Sequence, residues 1–315
     1  MVAAWDIFLC VLYSLIAVAI ISGNVFCLAI LRGVNSIQKP TKFMIASLSV
    51  ADLCFGVFVV VPVIGALAAG GLPSNRASFC TFFAFANIFF PRAGIACILV
   101  INLDRFVAIS RPLHYHDLVT TRRAYLALGT VWLLSFTLTC LFGFLPGSST
   151  VYHGQFHMCF FAREAAPGGS SSFVVAIVLI VVSVAIPIVV STALYVFILK
   201  IARGHVQRTS SACRSVDLAM LSGSQSPQQT PNPAPKPNTK AANTFFIVTA
   251  GFVVAWLPFL AILLHEGLKN DIVPRWLADL SQVAVFTSSC WNFIIFYVRN
   301  TGFRKRAREL LRLRE

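Results

Sequence analysis

Asp104 and Arg105 stand side by side in "INLDRFVAI" (101–109), at the end of a long apolar run and with more apolar residues behind them. A charge pair inside an apolar helix costs free energy unless something uses it. A second acid, Asp52 in "LSVADL", lies within another apolar run, and Asn24, Ser289 and Asn292 occupy such runs as well. Together these four hold either a few waters or a small cation such as sodium beside Asp52, or they serve as hydrogen bonds between packed helices. Arg92 follows Pro91 in a phenylalanine-rich run. It meets an anionic or carbonyl-bearing ligand, or, the favoured reading, it bonds carbonyls freed by the proline or polar groups on neighbouring helices. The six histidines lie in loops or near the ends of runs, and no His-Glu-x-x-His spacing occurs. No enzyme is expected, and no metal site beyond the sodium candidate.

The elements that carry these residues are apolar helices. Hydrophobic residues make up 57% of the 315-residue chain and charged ones 11%, against roughly 25% charged in a soluble domain. Seven stretches, near 7–31, 43–68, 79–103, 124–145, 172–199, 241–264 and 276–298, each hold at most one charge. Each is long enough to cross ~30 Å of hydrocarbon as a helix. Backbone in lipid must satisfy its own hydrogen bonds, which leaves helices as the spanning form. The expected fold is all-α, a seven-transmembrane bundle.

Of the 25 Lys and Arg, 20 fall in 32–42, 105–123, 200–240 and the tail from 299. These segments share one side of a seven-span chain, and the basic side is cytoplasmic. The N-terminus, residues 1–6, is then a short extracellular segment before a seven-span domain of 7–298. No basic n-region precedes the first span, so it reads as an uncleaved anchor. The net charge of +14 marks a surface facing anionic lipid and a cytosolic partner, not nucleic acid.

Of nine cysteines, Cys80 and Cys159 alone face the oxidising side outside the spans. A disulfide between them is the economical reading, and two free thiols are the alternative. The inner segment of about 203–240 is rich in Ser, Pro, Gln and Asn and reads as disordered. In 299–315, Phe303, Ala307, Leu310 and Leu311 share one side and Arg304, Lys305 and Arg308 lie mostly opposite. That suits an amphipathic helix in the inner interface, with a solvated basic tail as the alternative.

In order along the chain come Gly23–Asn24, "LSVADL" with Asp52, Cys80, "DRF" at Asp104–Phe106, Trp132, Pro187 with Tyr195, "FVVAWLP" with Phe252, Trp256 and Pro258, and "NFIIF" at 292–296. One landmark per span, over essentially the whole chain, resembles the rhodopsin-like (class A) G-protein-coupled receptors. The resemblance implies a plasma-membrane receptor that passes ligand binding to a heterotrimeric G protein. It implies that Arg105 meets the G protein when span six swings outward, that Asp104 restrains Arg105 in the idle state, and that Leu113 packs on the G protein. It makes Pro258 a hinge and Trp256 the place where a ligand pushes, with Tyr195 and Asn292 part of the activation path.

Two departures matter. The usual Asn-Pro-x-x-Tyr motif is Asn292-Phe293-Ile294-Ile295-Phe296, without proline or hydroxyl. No acid stands at the inner end of span six, where Asn238, Thr239 and Lys240 occur. With the second restraint missing, ligand-independent signalling is expected.

Asn87 lies eighteen residues before Arg105, about five helical turns and ~27 Å away on the same face. Aminergic relatives carry Asp there, so an amine ligand is disfavoured. Span seven has no lysine for a retinal Schiff base. Asn87, Arg92, Trp256, Phe259, Leu260, Leu263, Gln282 and Phe286 are the pocket candidates, and their apolar majority suits a small, mostly apolar ligand. Looser likenesses to adenosine-like and orphan lipid-sensing receptors assign no subfamily. The competing reading, a transporter or channel, predicts internal repeats and interrupted helices, and neither is seen.

Overall fold

A computed structural model describes residues 4–72, 77–144, 148–163, 186–198, 200–201, 239–269 and 271–312. Six helices in it are long and apolar enough to cross a membrane. They are α1 (Ala4–Gly33), α2 (Lys39–Ala68), α3 (Ala77–Ser110), α5 (Thr121–Gly143), α7 (Thr239–Lys269) and α8 (Arg275–Arg299). A 3₁₀ turn (Pro112–His114) and a four-residue helix, α4 (Tyr115–Leu118), follow α3. A shorter apolar helix, α6 (Ile186–Ile198), represents the fifth span. The rest of that expected span, the 203–238 segment and Asn238 lie outside the described residues. The bundle matches the all-α membrane architecture expected from the apolar runs, with helices several residues longer than the runs at most ends.

Local sequence sets the boundaries. Pro40 opens α2, where a missing N–H costs nothing. Thr120 caps α5 by accepting a hydrogen bond from the Arg123 amide at 3.3 Å. Asn300 ends α8 and caps α9 (Thr301–Arg312), its Oδ1 accepting from the Phe303 amide at 3.0 Å. Within α9, Phe303 and Ala307 are buried, so the tail helix lays its apolar stripe on the bundle. Gly33 lies against the Arg306 guanidinium of α9, where a Cβ would displace the far end of that side chain.

Two features were not foreseen from the sequence. A π turn at Gly56–Val60 interrupts α2. A Cβ at Gly56 would come within 2.8 Å of Ile20, so the glycine lets α1 approach closely. Residues 148–163 form an antiparallel hairpin, β1 (Ser148–His153) and β2 (Met158–Arg163), with Tyr152 opposite Cys159. Its tip holds His157 at φ 51°, the left-handed region.

α3 runs through the middle, packed on α2, α5, α7 and both strands, while α8 packs on α7 and α1. One apolar cluster joins the hairpin to the upper bundle, including Phe83, Phe156, Trp256 and Phe286. Another, including Ile101, Val248, Phe296 and Phe303, fills the opposite end. The two ends are called here the hairpin end and, for its Lys and Arg, the basic end.

Candidate functional site

At the basic end α3 delivers Asp104 and Arg105 to the edge of the bundle. Arg105 Nε donates to Asp104 Oδ2 at 2.9 Å, and its Nη2 makes a shorter contact with the same oxygen. The Asp104 carboxylate is buried and takes two further bonds, from Tyr115 Oη at 2.6 Å on Oδ1 and from Thr41 Oγ1 at 3.1 Å on Oδ2. Thr41 in turn accepts from Arg105 Nη2 at 2.7 Å. Thus α2 and α4 hold the acid, and the acid holds the arginine. A buried carboxylate needs such donors, and charge-assisted bonds are the strong ones. Donation to the carboxylate also raises the Tyr115 phenol to about 12, after the larger effect of burial. Leu113, two residues before Tyr115, is 85% exposed on the 3₁₀ turn.

Roughly one turn deeper, buried Asn102 donates Nδ2 to Thr249 Oγ1 of α7 at 3.0 Å. This bond ties α3 to the helix that carries Trp256 and Pro258. Tyr195 of α6 stacks on Phe246 of α7, with centroids 3.7 Å apart.

In mid-bundle, Asn292 Nδ2 donates to Asp52 Oδ2 at 2.7 Å, and Asn24 Nδ2 to the Ser289 carbonyl at 3.3 Å. Asn24, Asp52, Ser289 and Asn292 are therefore one buried constellation. A void of about 10 Å³ is lined by Asp52, Ser288, Ser289, Asn292 and Trp256. That is the lower limit for one water or an ion of similar size. Asn24 Oδ1 is a buried oxygen without a hydrogen-bond donor. An anionic carboxylate with hydroxyl and amide oxygens suits a small hard cation.

At the hairpin end a disulfide joins Cys80 to Cys159, with Cα atoms 5.4 Å apart. It pins β2 to α3 and drives the hairpin tip into the bundle. Phe156 at the tip is 0% exposed. Its carbonyl accepts from Gln282 Nε2 at 2.9 Å, and Gln155 Nε2 bonds the Val273 carbonyl at 2.9 Å. The Phe156 ring meets Phe259 edge-on at 5.2 Å, Phe259 meets Trp256 at 6.1 Å, and Trp256 stacks on Phe252 at 5.4 Å. An aromatic column thus descends from the loop to the level of Asp52. Phe286 joins it from α8, touching Phe55 and Tyr13. Leu260 and Leu263 are buried in the same cluster, and Asn87 is half-buried on α3.

Arg92 does not point into this column. Its Nη1 donates to Thr139 Oγ1 of α5 at 3.0 Å, and both residues are buried. This bond to Thr139 is one to a polar group on a neighbouring helix, as the favoured of the two readings of Arg92 has it.

Sequence reasoning passed over Thr41, Tyr115, Thr139, Thr249 and Phe156. Asn102 and Thr249 carried a usable signal, each a polar side chain in an apolar run. Phe156 carried none among so many phenylalanines.

The model of the 7 transmembrane receptor (rhodopsin family) matches residues 23–296, and the chain belongs to that family. It is 29% identical over 292 residues to the probable G-protein coupled receptor 21 of Mus musculus, covering 92% of this chain and 79% of that one. It is 26% identical over 329 residues to the 5-hydroxytryptamine receptor 2 of Aplysia californica, covering 95% and 74%. The G-protein coupled receptor 52 of Mus musculus is 26% identical over 307 residues, covering 96% and 81%. The chain is a multi-pass membrane protein and a G-protein-coupled receptor. The transporter alternative has no support among these relatives.

Proposed function

We propose that the chain lies in the plasma membrane with its hairpin end outside and its basic end in the cytosol. It converts binding of a small, mostly apolar ligand at the hairpin end into activation of a heterotrimeric G protein at Arg105 and Leu113. The observation that carries this reading is the aromatic column from Phe156 through Phe259 to Trp256. A ligand that shifts the column moves Trp256, two residues before the break that Pro258 puts in the hydrogen bonding of α7. Walls of phenyl and aliphatic groups favour an apolar ligand, and Asn87 supplies a polar contact, while Gln282 holds the hairpin tip through the Phe156 carbonyl. A water cluster or a sodium ion beside Asp52 stabilises the idle packing.

Basal signalling is part of the proposal. One restraint between α3 and α7 is the neutral Asn102–Thr249 bond, worth about 1 kcal/mol. A neutral bond of that size shifts the idle:active ratio by only about fivefold, which leaves room for an active fraction without ligand. The test is G-protein activation by wild type and Arg105→Ala at matched surface levels. Ligand-free activation that disappears in Arg105→Ala supports the proposal. A silent wild type, or activation indifferent to Arg105, defeats it.

A further inference from the structure

A cavity of about 250 Å³ lies between α3, α6 and α7 near the basic end, apart from both the aromatic column and the Asp52 void. Asn102 and Arg105 line it from α3, Ser191 and Tyr195 from α6, and Thr249 and Val254 from α7. An apolar cavity of ~150 Å³ already holds benzene, so this one has room for a longer hydrocarbon. Apart from Thr192, its remaining walls, among them Ile198, Phe246 and Val253, are apolar. Thr192 and Val254 line the cavity yet also lie on the outer surface of the bundle, Val254 at 71% exposure. The mouth therefore opens sideways, between α6 and α7, on a surface that faces hydrocarbon.

A ligand entering by that route comes from the membrane and carries an alkyl chain. The polar end of the cavity is defined by the Arg105 cation with the Asn102 amide and Thr249 hydroxyl beside it. That end also lies where most of the Lys and Arg gather, which attracts anionic headgroups. We infer that the cavity binds a single-chain membrane amphiphile with an anionic head, its chain between α6 and α7 and its head toward Arg105. The inference rests on the membrane placement proposed above, not on the ligand proposed for the hairpin end. The cavity's walls are α3, α6 and α7 as packed here, so moving the basic end of α7 away would open it. An occupant that binds only the packed form favours that form. Bound amphiphile therefore lowers basal signalling.

The test uses the full chain in phosphatidylcholine nanodiscs with a photoreactive, alkyne-bearing palmitate as probe. The expected result is labelling concentrated in 191–198 and 246–254. Unlabelled oleate or lysophosphatidate competes it away, and the stronger competitor tells a carboxylate head from a phosphate head. Val253→Trp and Ala250→Phe both fill the cavity and should each lose the labelling while keeping the wild-type melting temperature. Labelling spread evenly over the lipid-facing residues of all helices, or labelling at the cavity that neither competitor reduces, overturns the inference. Cavity labelling that survives both folded variants also overturns it. The readout needs no G protein, so failure of the signalling proposal does not mimic failure of this one.

Discussion

Asn102 of α3 and Thr249 of α7 meet through one hydrogen bond of 3.0 Å, about a turn above Arg105. Both side chains are buried, so the bond competes with no bulk water. It lies nine residues further along α7 than Lys240, at the inner end of span six where the sequence has no acid. A neutral bond is weaker than a buried charge pair, and it does not involve Arg105 itself.

Breaking this bond is expected to free α7. Thr249→Val removes the acceptor with little change of shape, and Asn102→Ala removes the donor. Each should raise basal G-protein activation several-fold, since about 1 kcal/mol is about a fivefold change in population. The double variant should add little to either single one, because the same bond is lost. Additive increases in a double-mutant cycle would show that the two residues act separately.

Phe296 is expected to hold the receptor back by a different route. It is buried in an apolar cluster with Ile101 and Val248. A hydroxyl placed there by Phe296→Tyr meets an apolar surrounding in the idle packing, at a cost of roughly 1–3 kcal/mol. The resemblance to rhodopsin-like receptors implies that such a hydroxyl makes a water-bridged contact with Tyr195 in the active arrangement. Basal signalling should rise in Phe296→Tyr at matched surface expression, and a fall would contradict this account.

Much of this was legible in the sequence because membrane helices announce themselves by length and polarity. The long apolar runs gave the bundle, the buried acids marked Asp52 and Asp104, and the cysteines left outside the spans marked the disulfide. Pairings between helices were not legible. Thr41 and Tyr115 reach Asp104 only because α2 and α4 arrive at particular rotations, and a lone Thr or Tyr carries no such mark. The hairpin was hidden for another reason. "TVYHGQFHMCFF" mixes polar and apolar residues, but nothing in it says that the tip turns inward. The disulfide and the Gln282 bond to the Phe156 carbonyl decide that, and both are long-range.

The hairpin tip is expected to bear much of the stability of its end of the bundle. Phe156→Ala removes a fully buried ring from against Phe259. Truncations of this kind cost about 3–5 kcal/mol. The melting temperature of the purified receptor should drop clearly, while Val151→Ala, on the exposed face of β1, should change it little. Equal shifts in both variants would mean that the tip is not anchored as described.

Acid should loosen the same end. Burial lowers the His153 imidazole below the ordinary 6.5, opposed by Glu266, whose Oε2 lies 3.7 Å from its Nε2. Burial and then Arg275 lower His157, opposed by Asp279 and Asp6. Both histidines therefore dock neutral, and the unfolded chain binds more protons as pH falls. Their contribution is complete above about 6.5 and is lost progressively below it, through the lowered folded values. Melting temperature should decline on acidification from neutral pH, and less so when both residues are changed to Gln. A rise on acidification would reverse the sign assigned to both groups.

The central claim is that Arg105 drives G-protein activation and that the Asn102–Thr249 bond restrains it. Nucleotide exchange on purified heterotrimer, without added ligand, tests both parts in one assay. Three purified versions are compared: wild type, Asn102→Ala, and Asn102→Ala with Arg105→Ala. The account predicts exchange clearly above the receptor-free rate with wild type, several-fold more with Asn102→Ala, and exchange at the receptor-free rate with the double variant. Exchange in the double variant equal to that of Asn102→Ala would contradict it.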